Sequence, residues 1–301
     1  MTAAAIARSA TATTAHPADR LLTAFARVGA PVCVGLDPVL ERMPAEIAHA
    51  NGDIAPAEQL LRFSIVVLDA IMPFVACVKI QSACFERYGG AGIAALHQTS
   101  AAVKAHGMEL ILDAKRGDIG ITAEHYAAAS ALHHADWTTA NGYLGEDGLL
   151  PFLARVDGAP GRGAFALVRT SNGSGDAIQS LRLADGRTVA EAMADSVATL
   201  GAAHLGEQGT SALGAVVGAT KRADAAALRT RMPQQMLLVP GYGAQGGGVD
   251  DVLPCFRADG TGAIITASRS VLYPSGSSDW RGNVARAAEA FHHEIRRGLG
   301  Q

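Results

Sequence analysis

The chain contains eight short apolar runs, each of which ends in polar or glycine-rich residues. Segments of helical character, such as residues 91–105, 122–133, 189–201 and 223–230, lie between these runs. Nearly continuous apolar strands that alternate with helices are typical of a parallel sheet covered by helices. Eight such units in about 250 residues predict an α/β protein with the (β/α)8 architecture of a TIM barrel. The runs span residues 31–37, 76–81, 109–115, 137–142, 163–171, 213–219, 235–242 and 262–270.

The same alternation also fits an open, doubly wound sheet, which is the alternative architecture. No low-complexity linker divides the 301 residues, so we predict one barrel domain over residues 17–301. Residues 1–16 are rich in Ala and Thr and lack an apolar core long enough for a signal peptide. A transit peptide is the alternative to the flexible tail that we expect there. Two long connections, 37–56 and 170–187, would be loops at the carboxyl-terminal rim, where barrel active sites lie.

The composition excludes several classes of protein. Charged residues make up 18% of the chain and the formal net charge is −3, so no nucleic-acid partner is indicated. The most apolar segment, 63–80, is interrupted by Asp69, Pro73 and Lys79, and is not expected to cross a membrane. The 4 cysteines are far apart and lack metal-ligand spacing, which favours a reducing, cytoplasmic location.

A group of alternating charges follows the third apolar run. Asp113 and Lys115 are two residues apart, so on a strand they point to the same face. Asp118 follows just beyond Gly117, where we expect the strand to give way to a loop. Buried charges persist when they pair or do chemistry. The group is either a structural ion pair or part of a functional site, and its place at a strand end favours the site.

Other predicted strands also carry polar residues at their carboxyl ends. Asp37 follows the first strand, and Lys79 and Gln81 share one face of the second. The fifth strand ends in residues 169–172, Arg-Thr-Ser-Asn, and the eighth in residues 268–270, Ser-Arg-Ser. Each has a simple structural explanation by itself, such as a turn residue or a lysine reaching solvent. In a closed barrel, however, all of these ends converge on one mouth.

A glycine-rich segment, 240–248, follows the seventh strand. Gly241, Gly243 and Gly246 formally match a dinucleotide-binding fingerprint, but no βαβ unit with an acidic ribose ligand follows them. Barrels commonly bind phosphate with the loops after strands seven and eight. Arg269, after the eighth strand, offers a planar fork suited to phosphate oxygens. A phosphate site is therefore favoured over a flexible surface loop with a solvated arginine.

Taken together, these segments resemble the orotidine 5′-phosphate decarboxylase family, in particular its larger bacterial, mycobacterial-like subgroup. The resemblance covers roughly residues 31–273. It rests on Asp-x-Lys-x-x-Asp at 113–118, Gly-Leu-Asp-Pro at 35–38, and Lys79. It also rests on Arg-Thr-Ser-Asn at 169–172, Pro-Gly-Tyr-Gly-Ala-Gln at 240–245 and Ser-Arg-Ser at 268–270.

The resemblance implies conversion of orotidine 5′-monophosphate to uridine 5′-monophosphate and carbon dioxide, in pyrimidine biosynthesis, without a cofactor. Lys115 would protonate C6 of the pyrimidine and Asp113 would face the departing carboxylate. Lys79 and Asp118 would complete the charged array, with Asp118 offered across the interface of a homodimer. The electron pair left at C6 is poorly delocalised by the ring, so fixed charges would have to stabilise the transition state.

The resemblance also implies a set of substrate-binding residues. Asp37 would hold the ribose hydroxyls, with Thr122 near the same region. Thr170 or Ser171 would contact the pyrimidine, and the sequence leaves this choice open. The phosphate would be bound by Gly243, Gln245 and Arg269.

Two other functions remain open at this point. A magnesium-dependent sugar-phosphate lyase or decarboxylase of the same superfamily, similar to hexulose-phosphate synthase, would use the same aspartates to hold Mg²⁺. Such an enzyme would need a further acidic ligand, whereas the second strand carries Lys79, which repels a cation. The other is a non-catalytic phosphate-binding barrel, which the intact charged array disfavours.

Overall fold

Eight parallel strands form a closed barrel in a computed structural model of the chain, with each strand paired to its sequence neighbours and β8 paired to β1. The structure describes residues 16–48, 54–154, 161–243, 246–275 and 279–301. The (β/α)8 fold predicted from the sequence is thus confirmed, and the open sheet is wrong. The predicted N-terminal tail lies outside the described residues except for His16, which caps the first helix by accepting a hydrogen bond from the Ala18 amide.

Each predicted apolar run corresponds to one strand of the barrel, and β3 extends one residue beyond its run. The strands are almost entirely buried because the barrel interior covers one face and the helices cover the other. Their bounds are β1 Val32–Leu36, β2 Cys77–Gln81, β3 Glu109–Arg116, β4 Trp137–Ala140, β5 Gly163–Arg169, β6 Leu213–Val217, β7 Leu237–Pro240 and β8 Ala263–Ala267.

The helices surround the barrel and match the four helical segments predicted from the sequence, one of which ends a residue earlier than predicted. Their bounds are α1 Pro17–Val28, α2 Ala45–Ala48, α3 Pro56–Ile71, α4 Ala83–Glu86, α5 Gly89–Ala105, α6 Gly120–Leu132, α7 Leu150–Leu153, α8 Asp176–Gln179, α9 Val189–Gly201, α10 Arg222–Arg231, α11 Val249–Val252, α12 Arg269–Leu272 and α13 Trp280–Gly298. Short helices α2 and α8 lie within the two predicted long connections, so these connections are partly helical rather than irregular.

Large side chains fill the lower part of the barrel. Trp137 and Phe165 stack inside it with ring centroids 4.7 Å apart, and both are fully buried. Ile111, Leu238 and Ile264 pack in the same interior cluster. Such filling makes a barrel a packed core rather than a pore, so ligands reach it from the end where the loops leave space. This floor places the accessible cavity at the carboxyl ends of the strands.

No helix within the described ranges is long and apolar enough to cross a membrane. The 4 cysteines, Cys33, Cys77, Cys84 and Cys255, are free thiols. Cys33 and Cys77 are fully buried, as the apolar runs around them indicate.

Candidate active site

A cavity of about 390 Å³ opens at the carboxyl ends of the barrel strands. All eight strands, or the residues directly after them, contribute to its wall. Most of the side chains that the sequence predicts for the site meet here. The lining residues are Asp37, Lys79, Gln81, Asp113, Lys115, Thr139, Leu167, Thr170, Ser171, Asn172, Val216, Leu238, Pro240, Gly241, Tyr242, Thr266, Ser268 and Arg269.

Asp113 lies at the centre of the charged array and is only 5% exposed. Its Oδ1 accepts hydrogen bonds from Lys115 Nζ at 2.6 Å and Thr139 Oγ1 at 2.8 Å. Its Oδ2 accepts from Lys79 Nζ at 2.8 Å and Gln81 Nε2 at 3.4 Å. Burial alone would raise the pKa of Asp113, but the two ammonium groups hold it well below its ordinary value. The carboxylate therefore stays ionised in a buried site.

Lys79 is a buried ammonium between two carboxylates. Its Nζ lies 2.8 Å from Asp113 Oδ2 and 3.7 Å from Asp37 Oδ1. Burial would lower the pKa of Lys79, but Asp37 and Asp113 raise it above its usual value. The lysine thus remains charged and fixes both carboxylates at one side of the cavity.

Lys115 carries the more exposed ammonium of the array, with a side chain that is 45% accessible. Its backbone is in the left-handed region at φ 47°, which is uncommon for a residue with a β-carbon. The pairing of β3 with β4 shifts register between Leu112 and Arg116. Such bulges re-aim side chains near active sites. The bulge lets Lys115 reach Asp113 from the open side of the cavity, opposite Lys79.

The segment after β5 is held by a network around the buried Arg169. Its guanidinium pairs with Asp224 at 2.7 Å and Asp176 at 2.8 Å. Gln179 Oε1 accepts from the Thr170 amide at 3.0 Å, and Gln179 Nε2 donates to Thr170 Oγ1 at 2.8 Å. These contacts hold the end of β5 against the helices α8 and α10.

Ser171 lies close to the backbone of the next strand end. A β-carbon at Gly218 would come within 2.8 Å of the Ser171 backbone, so glycine permits this approach. Whereas Thr170 is engaged by Gln179, the hydroxyl of Ser171 makes no hydrogen bond in the part of the chain that the structure describes. The sequence leaves open which of Thr170 and Ser171 would contact the pyrimidine. Ser171 has the more available hydroxyl of the two.

The opposite side of the cavity is formed by residues that follow β7 and β8. Gly241 and Gly243 have φ values of 100° and 69°, which only glycine adopts freely. Arg269 begins α12 and lines the cavity, next to Ser268. Gly243 is exposed beyond the cavity wall, and Gln245 lies outside the described residues. The backbone turn and the guanidinium suit an anion at this end.

Asp118 and Thr122, which the sequence also indicates, do not line the cavity of their own barrel. Asp118 precedes α6, and its Oδ1 accepts a hydrogen bond from the Ile119 amide at 2.8 Å. Large apolar side chains beside it, Ile119 and Ile121, are 56% and 67% exposed. The two polar residues therefore lie on an apolar surface at the side of the mouth.

Two residues of the site were missed by reasoning from the sequence. Thr139 lies in the apolar run of β4 and contacts both Asp113 and Lys115. Gln179 lies in the connection after β5 and binds Thr170. Threonine is common in strands, so its presence in β4 does not by itself indicate a functional residue. The one available signal for Thr139 was that its side chain points into the barrel. No group of three or more metal-ligating side chains occurs among the described residues.

Comparisons with known proteins agree with this geometry. The model of the orotidine 5′-phosphate decarboxylase / HUMPS family matches residues 30–277. The orotidine 5′-phosphate decarboxylase of Rhodopirellula baltica is 35% identical over 299 residues, covering 93% of this chain and 98% of that protein. The orotidine 5′-phosphate decarboxylase of Deinococcus radiodurans is 39% identical over 274 residues, covering 89% of this chain and 93% of that protein.

The fold is shared with solved structures of the same name. The OMP decarboxylase of Leishmania donovani superposes with a TM-score of 0.77 at 30% sequence identity, covering 95% of this chain and 99% of that one. The matched region contains all eight strands and the charged array around Asp113. The chain therefore belongs to the orotidine 5′-phosphate decarboxylase / HUMPS family.

Proposed function

We propose that this protein decarboxylates orotidine 5′-monophosphate to uridine 5′-monophosphate and carbon dioxide, with neither a metal nor an organic cofactor. One observation carries the proposal: the Asp113 carboxylate is held between the Lys79 and Lys115 ammonium groups inside the cavity, at 2.8 and 2.6 Å. A fixed cation beside the carbon that gains negative charge stabilises the transition state more than the ground state. Family membership supports the same reaction.

In the proposed step, the bond between C6 and the carboxyl group breaks and its electron pair stays on C6. Carbon dioxide leaves, and a proton from Lys115 Nζ bonds to C6. Lys115 becomes neutral and regains a proton from solvent, to which its side chain has access. Asp113 pairs with Lys115 before the step and lies where the leaving carboxylate would be, so it also destabilises the bound ground state.

The other polar residues of the cavity would orient the nucleotide. Asp37, fixed by Lys79, would accept hydrogen bonds from the ribose hydroxyls. Ser171 would contact the pyrimidine, since Thr170 is engaged by Gln179. Gly243, Gln245 and Arg269 would bind the phosphate. Binding energy from this remote group can be used to hold the reacting carbon in place.

We further propose that a single domain, residues 17–301, acts as a homodimer in which Asp118 completes the site of the partner subunit. Asp118 does not line its own cavity, and it lies on an apolar surface that solvent would otherwise cover. Thr122, at the start of α6, would cross the interface with it. Exposed apolar residues near Asp118 include Ile119, Ile121, Leu144 and Leu150, of which Ile119 and Leu150 line one shared hollow.

A magnesium-dependent sugar-phosphate lyase is the alternative within the same family. In such an enzyme the aspartates would have to bind Mg²⁺. Both oxygens of Asp113 already accept hydrogen bonds from ammonium groups, and these two positive charges would repel a divalent cation. The observed array therefore favours the decarboxylase over the metal-dependent lyase.

The test is the loss of orotidine 5′-monophosphate absorbance on adding purified protein, with and without a chelator. We expect equal turnover in both samples and stoichiometric uridine 5′-monophosphate by chromatography. Activity that disappears with chelator and returns with Mg²⁺ would support the metal-dependent alternative. A protein without turnover of orotidine 5′-monophosphate under either condition would exclude the decarboxylase reaction for this chain.

A further inference from the structure

We infer that Thr139 is a positioning residue for Lys115, because its hydroxyl holds the β3 bulge in the shape that carries the lysine to the reacting carbon. The inference rests on the proposed function and extends it to a residue of β4 that touches both members of the catalytic pair. Thr139 Oγ1 accepts a hydrogen bond from the Lys115 amide at 3.0 Å. The same oxygen donates to Asp113 Oδ1 at 2.8 Å.

The register of the two strands explains why a side chain is needed at this point. Leu112 pairs with Thr138, and Arg116 pairs with Ala140. Three residues of β3, 113–115, thus lie opposite the single residue 139 of β4. A bulge of this kind disrupts the ladder and leaves backbone groups unpaired. In a regular ladder the Lys115 amide would donate to a backbone carbonyl. Here it donates to the Thr139 hydroxyl instead.

The hydrogen-bond chemistry selects a hydroxyl. The group must accept from an amide and donate to a carboxylate, and a threonine hydroxyl can do both at once. Valine has the same shape but can do neither. The bond also acts on an unusual conformation, since Lys115 has φ 47° and such backbone persists only when its surroundings fix it. Without the hydroxyl, we expect the bulge to relax and Lys115 Nζ to leave its place beside Asp113.

The adjacent Thr138 provides a matched control. It is buried on the same strand, 4% exposed against 1% for Thr139. Its side chain points to the opposite face of the strand, away from the cavity, as successive residues of a strand do. It does not line the cavity. Thr138→Val therefore makes the same chemical change at the same depth without touching Asp113 or Lys115.

The experiment compares the variants Thr139→Val, Thr139→Ser, Thr139→Ala and Thr138→Val in steady-state turnover of orotidine 5′-monophosphate. We expect Thr139→Val to lower kcat by about 100-fold with KM changed less than about threefold, because misplacement by about 1 Å costs about that much. Thr139→Ser keeps the hydroxyl and should keep kcat within about threefold of wild type, as should Thr138→Val. If the valine variant does not fold, the serine and alanine variants decide, since both lack the methyl group and differ in the hydroxyl.

A second measurement needs neither substrate nor turnover. Amide hydrogen exchange of Lys115, resolved by fragmentation mass spectrometry, should be faster in Thr139→Val and Thr139→Ala than in wild type, and unchanged in Thr139→Ser and Thr138→Val. Unchanged exchange in Thr139→Val, or normal kcat with faster exchange, would overturn the inference. A wild-type protein without decarboxylase activity would instead refute the proposed function, while the exchange data would still report on the bond.

Discussion

At the scale of single residues, Asp113 organises the cavity because donors from β2, β3 and β4 occupy both of its oxygens. A carboxylate held in this way cannot rotate, and the two lysines bonded to it share its rigidity. Lys79 is buried and Lys115 is partly open to the cavity mouth. The two ammonium groups therefore have different tasks: the first fixes the array, and the second can reach substrate and solvent.

This division predicts the effect of Lys115→Ala. The change removes both the proton and the positive charge near C6, so kcat should fall by on the order of several kcal/mol of transition-state stabilisation. The fold should survive, since the side chain is 45% exposed and lies at the rim of the barrel. Steady-state kinetics and thermal unfolding test this, with Arg62→Ala, in an exposed helical ion pair, as the control for loss of a charge. A folded variant with normal kcat would contradict the proposed role.

A second charged cluster lies at the other end of β3, away from the cavity. Glu109 is buried beside Asp136, and Arg20 Nε lies 3.4 Å from Glu109 Oε1. Lys104 pairs with Asp136 in the same cluster. Burial, and then the nearby Asp136 charge, raise the pKa of Glu109 from 4.5 to about 7 despite Arg20 and Lys104. The folded state therefore retains a proton that the unfolded state releases.

The sign of the pH dependence follows from this retained proton. Between about pH 4.5 and pH 7 the folded protein binds more protons than the unfolded chain, so the free energy of unfolding should fall as pH rises through this window. The contribution is at most about 3 kcal/mol. Glu109→Gln should remove this fall, and the variant should be more stable than wild type at pH 8. Urea unfolding at pH 5, 6, 7 and 8 measures it, and parallel curves for both proteins would rule out the assignment.

At the scale of elements, the connection between β5 and α9 is tied to the barrel by a few polar contacts. Gln179 of α8 binds both the amide and the hydroxyl of Thr170. Arg169 pairs with Asp176 at the start of α8 and with Asp224 of α10. These contacts hold the connection in place beside Ser171, although Ile178 and Leu181 on its surface are exposed.

Gln179→Ala should therefore weaken the proposed contact of Ser171 with the pyrimidine and leave the chemical step less affected. We expect KM to rise by about tenfold, because the loss of the hydrogen bonds to Thr170, next to the proposed binding residue Ser171, costs about 1 kcal/mol or slightly more. The change in kcat should be smaller. Gln208→Ala, on an exposed loop at the amino-terminal side of the barrel, is the control. A fall in kcat at constant KM would show that the connection acts on the reaction itself.

The elements also show how far the sequence predicts this structure. The spacing of apolar residues, the composition and the polar residues at strand ends were sufficient to predict all eight strands. They also predicted that Asp37, Lys79, Asp113 and Lys115 converge in one cavity. The bulge in β3 could not be predicted, because no glycine or proline marks it and the conformation of Lys115 is fixed by a hydroxyl from another strand. Gln179 was missed for a similar reason: its partners are backbone and side-chain groups that the fold brings together.

At the scale of the whole molecule, the proposed dimer can be tested by mixing two inactive proteins. Lys115→Ala and Asp118→Ala should each lack activity. A mixed dimer has one site with both defects and one with an intact Lys115 and an intact Asp118 from the partner. With free exchange about half of the dimers are mixed, so about a quarter of all sites should work, as a two-fold interface requires. A mixture without activity, in which a tagged-chain pull-down confirms exchange, would place Asp118 in its own subunit's site.

The packed interior of the barrel determines how substrate and products of the proposed reaction enter and leave the cavity. Trp137 and Phe165 close the interior below Asp113, so in the part of the chain that the structure describes the carboxyl-terminal mouth is the route to the array. Substrate and both products must then pass through this one opening. In the proposed step the gas would form beside the buried Asp113, with the nucleotide between it and solvent. Carbon dioxide would have to pass the nucleotide or follow it out, so the residues proposed to bind the phosphate would also govern the escape of the gas.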